Sequence, residues 1–246
     1  QKTGVNQGVP ITYYNLFASG APVVVAKTTA TTADDYLAQA RASAGIKGRE
    51  KTVIRLAEQS LKLRETADGY FHRAYAKSDL GDLQGAIADF NKVIELDPQY
   101  ASAYNNRGIA KKKSKDYQGA IKDYNKAIEI NPREEAFWSN RGNARYSMGD
   151  LNGVILDLDI ALSINPVFVA AYNIRGNARD DLGDSKGAIM DYDRALDIDS
   201  QYALAFYNRG IAKDKQGDLD GAIEDYNKAI AIDSGYAPAY NERALS

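Results

Sequence analysis

The chain has 246 residues, 44% of them hydrophobic and 26% charged, with a formal net charge of −2. That is the composition of a soluble folded protein, and so small a charge excludes the basic field a nucleic-acid surface needs. Absent cysteine excludes disulfides and thiol catalysis, the single histidine (His72) leaves oxygen ligands alone for any metal, and no apolar run reaches the roughly 20 residues that span a bilayer.

Residues 1–32, QKTGVNQGVPITYYNLFASGAPVVVAKTTATT, carry no charge between Lys2 and Lys27. Gly4, Gly8, Pro10, Gly20 and Pro22 break any helix, so an extended non-repeat arm is expected. A stretch this polar and Gly-rich needs something to hold it: its own solenoid, a second copy or a larger assembly. Val24-Val25-Ala26 also resembles the small-residue end of a secretory signal, which makes a targeting remnant the alternative. The chain opens on Gln1 and not Met, which fits a processed, truncated or renumbered product. Compartment stays open between an exported or organelle-imported mature chain and a cytoplasmic one.

From residue 101 the sequence superimposes on itself at 34-residue steps. Gly108 recurs as Gly142, Gly176 and Gly210, each preceded by an arginine. A fixed period of this length is one supersecondary unit copied and stacked. Five full copies run 67–100, 101–134, 135–168, 169–202 and 203–236. Residues 33–66 are a degenerate copy that caps the array, with one residue expected to be lost near Gly45–Gly48. Residues 237–246 begin a further first helix and stop, which either covers the open end or leads into a longer chain.

Each copy predicts a helical hairpin. The first helix pairs a large residue with Gly or Ala four positions on: Tyr70/Ala74, Tyr104/Gly108, Trp138/Gly142, Tyr172/Gly176 and Phe206/Gly210. Positions i and i+4 share a helix face, so bulk lies beside a site of close approach. The second helix repeats an i, i+4, i+7 apolar stripe, as in Ala120, Tyr124 and Ala127. A Gly-Asp turn separates the helices, except that Lys115 replaces the glycine in the second copy. Pro98, Pro132 and Pro166 end the second helices. Ser200 and Ser234 replace proline in the last two copies, which predicts less rigid joints there.

This pattern resembles the tetratricopeptide repeat, clearly over 67–246 and more faintly over 33–66. The resemblance implies an all-α, right-handed superhelical solenoid of antiparallel helix-turn-helix repeats. The Asn-Arg-Gly and Gly-Asp-Leu/Tyr style resembles bacterial and photosynthetic-lineage members, which often serve assembly or stability of membrane complexes. One departure stands out. The family's usual Leu before the small residue is here arginine, from Arg73 to Arg209, and Arg243 repeats it. Each full copy also carries an aspartate on its second helix: Asp89, Asp123, Asp157, Asp191 and Asp225. An Arg–Asp pair tying the two helices is expected, because an unpaired half-buried arginine is costly.

No catalytic constellation, metal site, phosphate loop or cofactor motif emerges. His72, on a first helix, is expected at the groove or surface. Asp157/Asp159, Asp191/Asp193 and Asp197/Asp199 keep the repeat register and read as solvated or salt-bridged helix residues.

Binding is the better prospect. The resemblance implies a concave groove lined by the first helices, which maps onto Phe71, His72, Tyr75, Asn105, Asn106, Ile109, Asn140, Asn143, Asn173, Asn177, Tyr207 and Asn208. An amide offers an acceptor and two donors, enough to hold an extended peptide backbone, and the aromatic residues would supply pockets. The other reading of those asparagines is bonding between neighbouring helices. Lys112 and Lys113 belong to a basic run, Lys111–Lys115, answered by Asp180-Asp181 two copies on. It reads as a solvated face or as a dock for an acidic protein or membrane surface, and the polarity favours one orientation of a bound segment. The positions that clamp a chaperone's terminal carboxylate in related proteins hold Phe71, Ser102, Asn105, Ala136 and Asn140, without a cation, which disfavours that partner class.

The sequence therefore predicts a non-enzymatic scaffold that binds a peptide segment or subunit of another protein, in assembly or stabilisation of a larger, membrane-associated complex. The alternatives are a structural subunit attached through its arm, with any membrane contact indirect or through that arm, and the repeat region of a longer chain. Oligomeric state is left open.

Overall fold

The computed structural model describes residues 32–243, and the expected arm up to residue 31 lies outside them. Among the described residues there are thirteen α-helices and no strand: α1 (Ala33–Ser43), α2 (Glu50–Leu63), α3 (Ala67–Asp79), α4 (Leu83–Leu96), α5 (Ala101–Lys113), α6 (Tyr117–Ile130), α7 (Glu135–Ser147), α8 (Leu151–Ile164), α9 (Val169–Asp181), α10 (Ser185–Ile198), α11 (Ala203–Lys215), α12 (Leu219–Ile232) and α13 (Ala237–Arg243). Consecutive helices pack in hairpins that stack in chain order, an all-α solenoid. Thr32, assigned from sequence to the arm, instead caps α1 through a reciprocal capping box with Asp35.

The turn chemistry explains the regularity. Asp82, Asp116, Asp150, Asp184 and Asp218 cap the second helices, each side chain accepting from the backbone N–H three residues on. The preceding residue lies in the left-handed region, where Gly81, Gly149, Gly183 and Gly217 sit without a side chain to strain. Lys115 adopts the same conformation at φ 65, the one non-glycine residue to do so among those described.

The second helices end identically with or without proline. Asn165, before Pro166, and Asp199, before Ser200, have φ/ψ of −129/93 and −130/93. The reason is an Asx turn: Asp97, Asn131, Asn165, Asp199 and Asp233 each accept a hydrogen bond from the N–H two residues on. The looser joints expected at Ser200 and Ser234 have no counterpart in this geometry.

The first hairpin corrects another expectation. Its turn, residues 44–49, is longer than in the other copies and not shorter, and with α1 two residues shorter than α3 the spacing between helix starts gains one residue. α2 begins 17 residues after α1, against 16 between the starts of α3 and α4. The shorter α2–α3 connection restores the register.

The four hairpins from α5 to α12 each close where a first-helix glycine meets a large second-helix side chain, and the buried Ala40 and Ala74 take that place in α1 and α3. A Cβ on Gly176 would stand 2.6 Å from the Tyr192 ring, and one on Gly142 would stand 2.5 Å from Leu158. The core is accordingly a chain of small clusters such as Ala188–Tyr192–Ala212, each spanning a hairpin and its successor. The first helices α1, α3, α5, α7, α9 and α11 also touch one another in succession, whereas the second helices pack chiefly on the first helices flanking them. That difference in spacing curves the array and puts the first helices on its concave side.

Candidate functional site

The arginines form a continuous spine behind this concave face. Arg141 Nε and Nη2 donate to Asp157 Oδ2 and Oδ1 at 3.0 and 2.6 Å. Its Nη1 reaches back to Asn125 on α6 at 2.7 Å, and its guanidinium carbon stands 4.8 Å from the Trp138 ring centroid. The bidentate pair recurs as Arg73–Asp89, Arg107–Asp123, Arg175–Asp191 and Arg209–Asp225. From Arg107 onward each arginine also bonds the preceding second helix, through Asn91, Asn125, Asp159, Asp193 or Asn227. A second cation four residues on, Lys77, Lys111, Arg145, Arg179 or Lys213, meets the same aspartate. The carboxylates are buried and their charge is shared by two cations, which makes the spine architectural. Asp159 and Asp193, read from sequence as helix carboxylates, serve this spine.

The predicted groove residues divide into three groups. Phe71 and Tyr207 are half-buried in the packing between repeats: Phe71 stacks on Tyr100 at 5.0 Å, and Tyr207 meets Tyr236 edge-on at 5.2 Å. His72 is buried, 6% exposed, and not at an open surface. Burial, with Arg41 nearby, holds its imidazole down to about 4, so it is neutral at physiological pH.

The second group is committed to inter-repeat bonds. Asn140 Nδ2 donates to Asn105 Oδ1, and Asn208 Nδ2 donates to Asn173 Oδ1, both at 2.9 Å. The apparent amide ladder is thus two pairs, α5–α7 and α9–α11. Between α7 and α9 the equivalent positions hold Ser139 and Ile174, and the buried Ser139 hydroxyl has no hydrogen-bond partner among the described residues.

The third group is anchored at one end and open at the other. Asn106 donates through Nδ2 to the Ser102 carbonyl at 2.9 Å, and its Oδ1 takes no part in that bond. Asn140 likewise keeps its own Oδ1. Asn143 accepts from Lys112 Nζ at 2.6 Å, and Asn177 accepts from the Tyr192 hydroxyl at 2.8 Å, so both retain an Nδ2. Ile109 and Tyr75 are half-buried beside them.

The basic run divides between faces: Lys111 joins the spine at Asp123, Lys112 holds Asn143, and Lys113 is exposed. Asp180 and Asp181 are bonded by Lys215 and by Tyr146. A feature the sequence reading missed is a polar recess of about 580 Å³ at the α1 end, lined in part by Arg41, Arg64, Asp34, Asp68 and Tyr100. Its charges neutralise each other as Arg41–Asp68 and Arg64–Asp34. The signal was an Asp at the second position of α3, which has no equivalent in the later first helices. No cluster of metal-ligating side chains, and no helix long and apolar enough to cross a membrane, occurs among the described residues.

The family model for the tetratricopeptide repeat matches residues 101–134 and 203–236, and a second model, described as TPR repeat, matches 74–115 and 176–217. The chain is a tetratricopeptide-repeat protein. Among solved structures it is similar to MamA (24% identity, TM-score 0.60, covering 67% of this chain and 96% of that one). It is also similar to YrrB, described as a TPR protein with an unusual peptide-binding site (23%, 0.61, 76% and 97%). Pseudomonas aeruginosa pilF superimposes with a TM-score of 0.75 at 16% identity, over 87% of this chain and 97% of that one. No curated protein matches the chain. As a TPR solenoid the protein is a scaffold for protein–protein interaction.

Proposed function

We propose that this TPR protein holds an extended segment of another protein along its concave face, without catalysis of its own. The observation that carries this reading is the row of half-anchored amides. Asn106 and Asn140 present acceptors and Asn143 and Asn177 present donors, each fixed at its other end by a bond within the solenoid. An extended backbone offers both N–H and C=O groups, which such a row can satisfy, and amides already fixed lose little entropy on binding. Ile109, on α5, and Tyr75, on the preceding first helix, give apolar contact beside them. The peptide-binding site named for YrrB supports the same use of the fold.

The test is capture of randomised, end-blocked hexapeptides by the purified chain. Asn106→Ala combined with Asn140→Ala is expected to weaken binding about tenfold, the loss of one to two hydrogen bonds. Undiminished capture by that double variant, with its unfolding transition unchanged, overturns the groove reading.

A further inference from the structure

Lys112 is the odd cation of this solenoid. The other half-buried lysines and arginines of the described first helices each meet an aspartate. Lys112 meets no carboxylate among the described residues. Its bond goes to the neutral amide of Asn143, and the charge that acts on it is the repelling Lys113. A half-buried ammonium without a counter-charge destabilises a fold, and the spine shows that this sequence places aspartates wherever a first-helix cation must be neutralised. The equivalent positions in the other full copies are Ser78, Tyr146, Asp180 and Asp214, so the cation is particular to this repeat and is not part of the repeat's scaffold.

The geometry supplies a receptor for the missing charge. Lys112 Nζ spends one of its three donors on Asn143 Oδ1, and Nδ2 of that same amide remains as a second donor. Ammonium and amide together make a two-donor site, which matches the two oxygens of a carboxylate. Ile109, one turn earlier on α5, gives the site an apolar wall.

We propose that Lys112 and Asn143 form a subsite for one carboxylate of the segment bound in the groove, at the α5–α7 crossing. The proposal rests on the groove reading and adds its ligand chemistry: an acidic residue of the partner, or the partner's C-terminus, neutralises Lys112. Asp181, two repeats on, is exposed and bonded by the neutral Tyr146 hydroxyl, and it would repel the same anion, so the acidic residue lies toward α5 and not toward α9.

Two measurements separate this subsite from the groove as a whole. In the first, Lys112 is lightly acylated and its labelling is read by mass spectrometry against the exposed Lys122 and Lys186, in the presence of small probes. N-acetylglutamate α-amide should protect Lys112, the neutral N-acetylglutamine α-amide should not, and N-acetylglycine reports whether a terminal carboxylate suffices. In the second, end-blocked hexapeptide libraries with a fixed Glu or a fixed Gln are captured. The Glu library should bind about tenfold better, as one charge-assisted contact implies. Lys112→Gln should abolish that preference while retaining residual capture, and Lys112→Arg should keep part of it. Equal capture of the two libraries by the unaltered chain, or a Glu preference that survives Lys112→Gln, overturns the carboxylate subsite and leaves the groove standing. Protection of Lys112 by the glutamate probe with no capture of either library supports the subsite and overturns the extended-segment reading. No protection and no capture overturns both.

Discussion

Arg141 and Asp157 face each other across the α7–α8 hairpin through two parallel hydrogen bonds, with Asp157 only 1% exposed. The same arginine reaches Asn125 behind it, so one side chain closes its own repeat and fastens it to the one before. In the first hairpin the equivalent positions hold Gln39 and Leu56. The array thus contains its own example of the pair exchanged for uncharged residues.

From this follows a prediction about stability. Asp157→Ala leaves Arg141 without its carboxylate and costs about 3–5 kcal/mol, the usual penalty for orphaning a buried charge. Arg141→Gln combined with Asp157→Leu, which copies the first hairpin, recovers most of that loss. Arg145 then keeps Asp150, 3.5 Å away. Urea unfolding with hydrogen exchange over α7 and α8 measures both. A double variant no more stable than Asp157→Ala would show that the pair stabilises beyond mutual neutralisation.

Lys115 gives a second prediction. It sits at φ 65 where the other full repeats place glycine, and its side chain is exposed. Lys115→Gly relieves the left-handed strain and is expected to stabilise the chain by roughly 1 kcal/mol net of the entropy glycine adds to the unfolded state. The converse, Gly149→Lys, should cost about as much. Denaturation midpoints of the two variants, moving in opposite directions, are the check.

The elements most legible in the sequence are those that recur. Glycine beside a large side chain, Asp after Gly, and Arg sixteen residues before Asp all repeat within a copy, so the period exposes the contact. Contacts between copies are harder to see. Asn105–Asn140 and Asn173–Asn208 join residues 35 apart, and nothing in one repeat tells a groove amide from one spent on its neighbour. The Asx turns at Asp97 through Asp233 were present in the sequence but overshadowed by the prolines beside them. His72 was misread because its burial depends on the first hairpin, the least regular copy.

That burial makes His72 an acid-sensitive position. Its folded-state value of about 4 lies below the ordinary 6.5, with burial the main cause. Between those values the unfolded chain binds the proton more readily than the folded one. The stabilising contribution is therefore complete above about pH 6.5 and is lost as pH falls toward 4. A shift of this size corresponds to about 3 kcal/mol. His72→Phe should remove this component of the acid limb, and as the chain has one histidine, its imidazole proton resonances follow the titration directly.

Lys112 acts in the same sense at the other end of the scale. Burial, and then Lys113, pull its ammonium down to about 8, so between there and the ordinary 10.5 the folded chain is the weaker proton binder. Stability then rises with pH across that window, because the charge that the fold fails to neutralise is released. Lys112→Met removes the charge at every pH. It is expected to stabilise the chain at pH 7 by about 1–2 kcal/mol, discounted for the part of the side chain that water reaches. The advantage should shrink steadily from pH 8 to 10.5 as the unaltered chain catches up. Parallel stability curves for the two proteins across that range would mean that water already neutralises the ammonium in the groove. Converging curves would show a charge left without a counter-ion in the free scaffold.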